Sequence, residues 1–121
     1  MDSSGWIDYL TDGPRADRFE QYLQADDLLV PTIVLYEVYK WLKREVSEDE
    51  AMAVAARLRH HHVVPFDEDL ALEAADMSLR HGLAMADAIV YATARHHCAT
   101  LVTADSDFSA IPDVEHIPED Q

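Results

Sequence analysis

Apolar residues fall along the chain in short runs of three or four, separated by stretches in which they recur every three or four positions. Trp6, Ile7 and Leu10 take helical spacing between Ser4 and Leu10, and the Thr11-Asp12-Gly13-Pro14 cluster ends that segment, which predicts a short helix. A second helix is expected from Pro14 to about Leu23, with Phe19, Tyr22 and Leu23 as its stripe. Asp26 and Asp27 introduce a short strand, Leu28 to Val30. Pro31 and Thr32 then open an amphipathic helix with Val34, Val38, Trp41 and Leu42 inward. Ser47 and Glu50 form a capping-box pattern for a helix from Asp49 to about Arg59. His60, His61 and His62 lead into a strand, Val63 to Pro65. A helix follows over Asp67 to Arg80, with Leu70, Leu72, Ala75 and Leu79 inward and Gly82 placed to end it. Ala84 to His97 reads as helix, Thr100 to Thr103 as strand, Asp105 to Ala110 as one helical turn, and Val114 to Ile117 as an edge strand ended by Pro118.

Short apolar strands alternating with helices predict an α/β fold with a mainly parallel sheet covered on both faces. At 121 residues the chain suits one packed core, so residues 1–121 are expected to form a single domain, with no repeat and no linker. In such sheets ligands bind beyond the carboxyl ends of the strands, and the residues following each strand are where chemistry belongs.

Charge changes the picture. Nine Lys and Arg against 24 Asp and Glu give a net charge of -15, which excludes a broad basic surface for nucleic acid or anionic lipid. Carboxylates in such excess either gather around divalent cations or cover a strongly solvated surface, and few lysines among many aspartates also suit a salt-adapted proteome. No apolar run approaches the ~20 residues that span a bilayer, and no signal peptide is visible. Cys98 is the lone cysteine, so no intrachain disulfide forms, which is compatible with a cytoplasmic setting.

Four acids stand in unusual places. Glu37 has Ile33, Val34 and Trp41 one turn away, and Asp87 lies among Leu83, Ala84, Val90 and Tyr91 near a helix start. A buried carboxylate needs a cation, a hydrogen-bond network or a metal. Singly, each has an ordinary explanation: pairing of Glu37 with Lys40, capping or dipole stabilisation for Asp87, an N-cap for Asp105, a terminal residue for Asp2. As a set they offer the oxygen ligands that hard divalent cations take.

Asp2-Ser3-Ser4 with Trp6-Ile7-Asp8-Tyr9-Leu10, Leu35-Tyr36-Glu37-Val38, Ala86-Asp87-Ala88-Ile89 and Thr103-Ala104-Asp105-Ser106-Asp107-Phe108 resemble the PIN-domain family, more closely the VapC toxins of toxin-antitoxin pairs. The resemblance spans nearly the whole chain in order. It implies a three-layer α/β/α fold and a Mg2+- or Mn2+-dependent endoribonuclease whose pocket is formed by Asp2, Glu37, Asp87 and Asp105. Within that pocket Asp2, Asp87 and Asp105 are expected to hold the metal directly or through water, and Glu37 to orient a ligand or bound water. Ser4 and Asp107 are supporting candidates, Ser4 being equally suited to cap the first helix. The resemblance further implies a homodimer and a small VapB-like antitoxin that covers the site.

Members of that family carry several apolar residues before the first acid as a central strand, whereas only Met1 precedes Asp2 here. Either the natural protein begins earlier or the first strand is lacking. In the latter case Asp2 is expected to be poorly fixed and the sheet to carry a gap. A rival reading is therefore a non-catalytic PIN-like module that binds an antitoxin or another partner. A third, a phosphatase or DNA nuclease, uses the same acids on another substrate.

Other signals carry less. The adjacent histidines at 60–62 and 96–97 do not converge readily on one tetrahedral ion, and CxxC and HExxH are absent, so helix-end and surface roles are expected. GxGxxG, GxxxxGK[ST] and GxSxG are absent too, which removes the main support for nucleotide-binding and serine-hydrolase readings. The aromatic residues Trp6, Tyr36, Tyr39, Trp41 and Tyr91 are expected mostly in core or interface. RNA binding at this net charge requires Arg15, Arg18, Lys40, Lys43, Arg44 and Arg95 to cluster locally.

Overall fold

A computed structural model describes residues 1–11, 13–24 and 28–118. Asp12, Asp26 and Asp27, to which the pattern assigned turn and strand-entry roles, lie outside the described residues. Among the described residues, six helices, in consecutive pairs, and four strands follow one another: α1 Ser3–Leu10, α2 Ala16–Glu20, β1 Leu29–Pro31, α3 Thr32–Glu45, α4 Glu48–Leu58, β2 His62–Val64, α5 Glu68–His81, α6 Met85–His96, β3 Leu101–Thr103 and β4 Val114–His116. Single 3-10 turns cover Gln21–Gln24 and Ser106–Phe108.

Of the helix caps, Ser47 and Gly82 stand where the sequence implies, whereas α1 is capped by Asp2 and not by Ser4, which lies inside the helix. Asp2, Ser47 and Asp67 each accept a first-turn amide, from Gly5, Glu50 and Leu70 respectively. The capping box of α4 is half-formed, because the Ser47 N–H that Glu50 was expected to engage is bonded to the Leu42 carbonyl at 3.0 Å. Gly82 closes α5 at φ +68, the left-handed conformation that glycine adopts without a Cβ penalty. The second helix starts at Ala16 instead of Pro14 and tightens into the 3-10 turn before Leu23.

All strand pairs are parallel, yet the sheet is in two pieces. β1 pairs with β2, placing Val30 opposite Val63, and β3 pairs with β4, placing Val102 opposite Glu115. Helix α6 touches both β1 and β3 and ties the halves together. Its Ala88, Ile89, Val90, Tyr91 and Ala92 are buried, in one core with Phe19, Val30, Val34, Val38 and Phe108. A cavity of about 630 Å³ lies between the halves, bordered by Met1, Leu29, Pro31, Thr93, Leu101 and Val102 among others. Asp2, which the sequence left as a poorly fixed terminal residue, is held in place: it is 5% exposed, and its N–H donates to the Val102 carbonyl at 3.1 Å.

Helix α5 corrects the predicted inward set. Leu70 and Ala74 are buried, whereas Ala75 is exposed, Leu72 is 70% exposed and Leu79 87%. The helix packs against α6, and Leu72 and Leu79 lie on the side opposite the buried Leu70 and Ala74. Trp41, expected inward, is half-buried at the edge of the core.

Candidate metal centre

The chemistry-bearing acids collect where strand ends and helix starts meet. Thr103 ends β3, and the chain then turns through Ala104 into Asp105, which caps the 3-10 turn by accepting from the Asp107 N–H at 2.9 Å. Asp87 stands in the first turn of α6, where the helix dipole favours a negative charge. Asp87, Asp105 and Asp107 each offer a carboxylate oxygen within 4.8 Å of the others. Asp107, read from the sequence only as a supporting candidate, thus stands with the other two.

Asp2 is placed differently. Its Oδ1 accepts from Ser4 Oγ at 2.8 Å and from the Gly5 N–H at 3.0 Å, and its Oδ2 accepts from Thr103 Oγ1. Those hydroxyls are themselves engaged: Ser4 Oγ accepts the Ala104 N–H at 3.2 Å, and Thr103 Oγ1 accepts the Asp105 N–H at 2.9 Å. Two relays therefore run from the Asp2 carboxylate to the backbone that carries Asp105. Asp2 lies outside the three-acid group, and it holds the loop on which one member sits. Ser4 belongs to this relay. Glu37, in mid-α3, accepts from Ser3 Oγ at 2.9 Å, so the first helix and α3 are joined through a side chain that faces the acids.

The electrostatics follow from this crowding. The Asp87 carboxyl is pushed up to about 6, first by burial and then by the negative charges of Asp105, Asp2, Asp107 and Glu37. Burial also raises Asp2, opposed by its hydrogen bonds to Thr103, Gly5 and Ser4. Among the described residues, none of these five acids is paired with a Lys or Arg. Such an arrangement is expensive unless a cation joins it. Three convergent, partly exposed carboxylates are the donor set that Mg2+ or Mn2+ accepts while keeping part of its hydration shell.

Three residues that position the site were not singled out for it in the sequence. Ser3 orients Glu37, and Thr103 is the donor to Asp2 and acceptor from Asp105. Arg15 was expected in a nucleic-acid patch, but it pairs with Asp8 at 3.3 Å and donates to the carbonyls of Ala104 and Ile117, at 3.2 and 3.4 Å. It thus braces the same loop from the α2 side. Only the hydroxyl two residues before Asp105 gave a hint, since strand-end Thr commonly bonds to the following loop. Arg18 donates to Pro118 and Arg95 to Asp113 and Tyr91, so these two, like Arg15, are engaged within the fold, which leaves Lys40, Lys43 and Arg44 on α3 from the six cations named for RNA.

The PIN domain family model matches residues 1–114. Among solved structures, a toxin-antitoxin complex from Klebsiella pneumoniae superposes with TM-score 0.78 at 25% identity, covering 96% of this chain and 97% of that one. VapC20 of Mycobacterium tuberculosis, a toxin that cleaves the sarcin-ricin loop, gives 0.74 at 23% identity and 92% coverage of both chains. DNA-bound VapBC from Salmonella typhimurium gives 0.74 at 18% identity, covering 97% of this chain and 94% of that chain. No curated protein matches the sequence. With a family match over most of its length and a fold shared with these toxins, the chain belongs to the PIN-domain family.

Proposed function

We propose that the protein is a metal-dependent endoribonuclease, the toxin of a toxin-antitoxin pair. The observation that carries this reading is the convergence of Asp87, Asp105 and Asp107 within 4.8 Å at the carboxyl end of β3, with no cationic side chain paired to them among the described residues. The similarity to VapC-type structures supports it at the level of fold.

In this reading Asp87, Asp105 and Asp107 would hold Mg2+ or Mn2+, which would offset phosphate charge and lower the pKa of the attacking water. Asp2 anchors the Asp105 loop through Ser4 and Thr103, and it remains a candidate ligand through water. Glu37, held by Ser3, accepts a hydrogen bond from the attacking water and orients it in line with the scissile phosphodiester. Attack breaks the bond from phosphorus to the leaving sugar oxygen; the attacking water's proton passes to Glu37, which holds it, and the leaving oxygen takes a proton from solvent.

The partner is a small antitoxin, as in the toxin-antitoxin complexes that share the fold, and a second copy of the chain is expected to complete a dimer. The apolar side chains Phe66, Leu72, Leu79 and Met85, all exposed, fit contact with another protein. The expected setting is the cytoplasm, and among the described residues no helix is long and apolar enough to cross a membrane. The test is incubation of purified protein with RNA and DNA of the same sequence, in Mg2+, Mn2+ or EDTA. RNA cut only with metal is the expected result. Cleavage of DNA alone would favour the DNA-nuclease reading, and failure to cut either would favour a binding module.

A further inference from the structure

Beside the acids lies a shallow groove lined by Ser3, Ile7, Tyr36, Glu37, Lys40, Trp41 and Arg44. Its floor is one face of α3, since positions 37, 40, 41 and 44 repeat at helical spacing. The face begins at Glu37, which is joined to Ser3 and whose charge acts on Asp87, and runs along α3 for about 10 Å to Arg44. In a chain with net charge -15 and nine Lys and Arg, two of those cations occupy this one face, next to the acidic centre.

Their partners make the groove receptive. Lys40 donates to the Tyr36 hydroxyl at 3.3 Å and lies 5.4 Å from the centre of that ring, with no carboxylate partner among the described residues. Arg44 is paired at 2.7 Å with Glu45, its exposed sequence neighbour, an ion pair that solvent screens strongly. Tyr36 is 56% exposed despite its size. An exposed ring beside an ammonium, with a guanidinium further along, presents one stacking surface and two phosphate partners in a line.

We infer that the α3 groove binds single-stranded RNA flanking the scissile bond, with Lys40 and Arg44 on backbone phosphates and a base stacked on Tyr36. This rests on the ribonuclease reading and adds to it the direction in which substrate leaves the metal centre. The cations lie on one side of the acids, so the strand is held on that side, and a stacked base rather than hydrogen-bond readout makes the groove tolerant of sequence.

The test uses a short fluorescein-labelled single-stranded RNA of mixed sequence. Binding is followed by anisotropy in the cleavage-silent Asp87→Asn background across a range of salt concentrations. Replacing Lys40 and Arg44 together by Gln is expected to weaken binding roughly tenfold and to flatten the log K against log salt slope by about 0.7 for each phosphate no longer neutralised. Tyr36→Ala is expected to weaken binding at least about fivefold while Tyr36→Phe holds it, and Lys40→Arg is expected to keep the parent slope. With Asp87 intact, the Gln pair raises KM for cleavage and leaves kcat near that of the parent. Arg57→Gln and Arg80→Gln, exposed cations on α4 and α5, serve as controls that leave binding unchanged. Parent-like affinity and slope in the Gln pair, with the parent binding RNA, would overturn the groove assignment alone. A parent that neither binds nor cuts RNA would overturn the ribonuclease reading with it.

Discussion

Replacing Asp87 by Asn should stabilise the metal-free protein while abolishing its response to metal. Folding takes the Asp87 carboxyl from an ordinary 3.8 to about 6, through burial first and four neighbouring negative charges second. The folded state therefore binds more protons than the unfolded chain between about pH 4 and about pH 6, and stability falls as pH rises through that window. A rise of that size would correspond to about 3 kcal/mol for a fully shielded group, and half-burial with solvent screening reduces this to roughly 1–2 kcal/mol. Asn keeps the size and removes the charge. At neutral pH in EDTA the variant is expected to melt roughly 4–8 °C above the parent, since a chain of this length gains about 4 °C per kcal/mol. Near pH 4 the two should converge. Saturating Mn2+ reverses the order: at about a hundredfold excess over Kd it adds about 2.7 kcal/mol to the parent and little to the variant. Thermal unfolding by circular dichroism, with and without EDTA at both pH values, checks all four conditions. A variant that melts below the parent in EDTA at neutral pH, or an equal rise of both with Mn2+, would refute the reasoning.

Other perturbations separate scaffold from site. Thr103→Val removes the donor to Asp2 and the acceptor of the Asp105 N–H, and it should cost about 1–3 kcal/mol in urea unfolding together with weaker Mn2+ binding by calorimetry. Ser3→Ala frees Glu37 from its donor, and it should leave stability within about 0.5 kcal/mol of the parent while lowering kcat for RNA cleavage. Leu70→Ala should cost about 2–5 kcal/mol and Leu79→Ala under about 0.5 kcal/mol in the monomer, by urea unfolding at low protein concentration. A large loss of stability at Leu79 would mean that another surface covers it in solution.

The sequence was most legible where a local rule decides. Apolar spacing located the helices, Ser47 and Gly82 marked two of their ends, and strand boundaries moved by one residue because three-residue strands give periodicity little to act on. It was least legible where a second element decides. Leu72 and Leu79 lie on the side of α5 opposite Leu70 and Ala74, so the pattern offers two apolar sides, and only the position of α6 reveals which one is covered. The division of the parallel sheet into two pairs depends likewise on placement in space. For the acids, Glu37 and Asp87 stood out by their apolar neighbours. That Asp107 joins Asp87 and Asp105, and that Asp2 works through Ser4 and Thr103, follows from contacts between segments far apart in sequence. Arg15 was misread because a charge count cannot tell a cation facing solvent from one braced against carbonyls.

The most direct measurement is cleavage of total cellular RNA by the purified protein in Mn2+, Mg2+ or EDTA, beside Asp87→Asn shown by circular dichroism to be folded. Discrete fragments from the parent with metal, and none in EDTA or from the folded variant, are the predicted result. Equal cleavage by parent and variant, or cleavage that persists in EDTA, would contradict the assignment of the acid cluster as a metal centre for RNA hydrolysis.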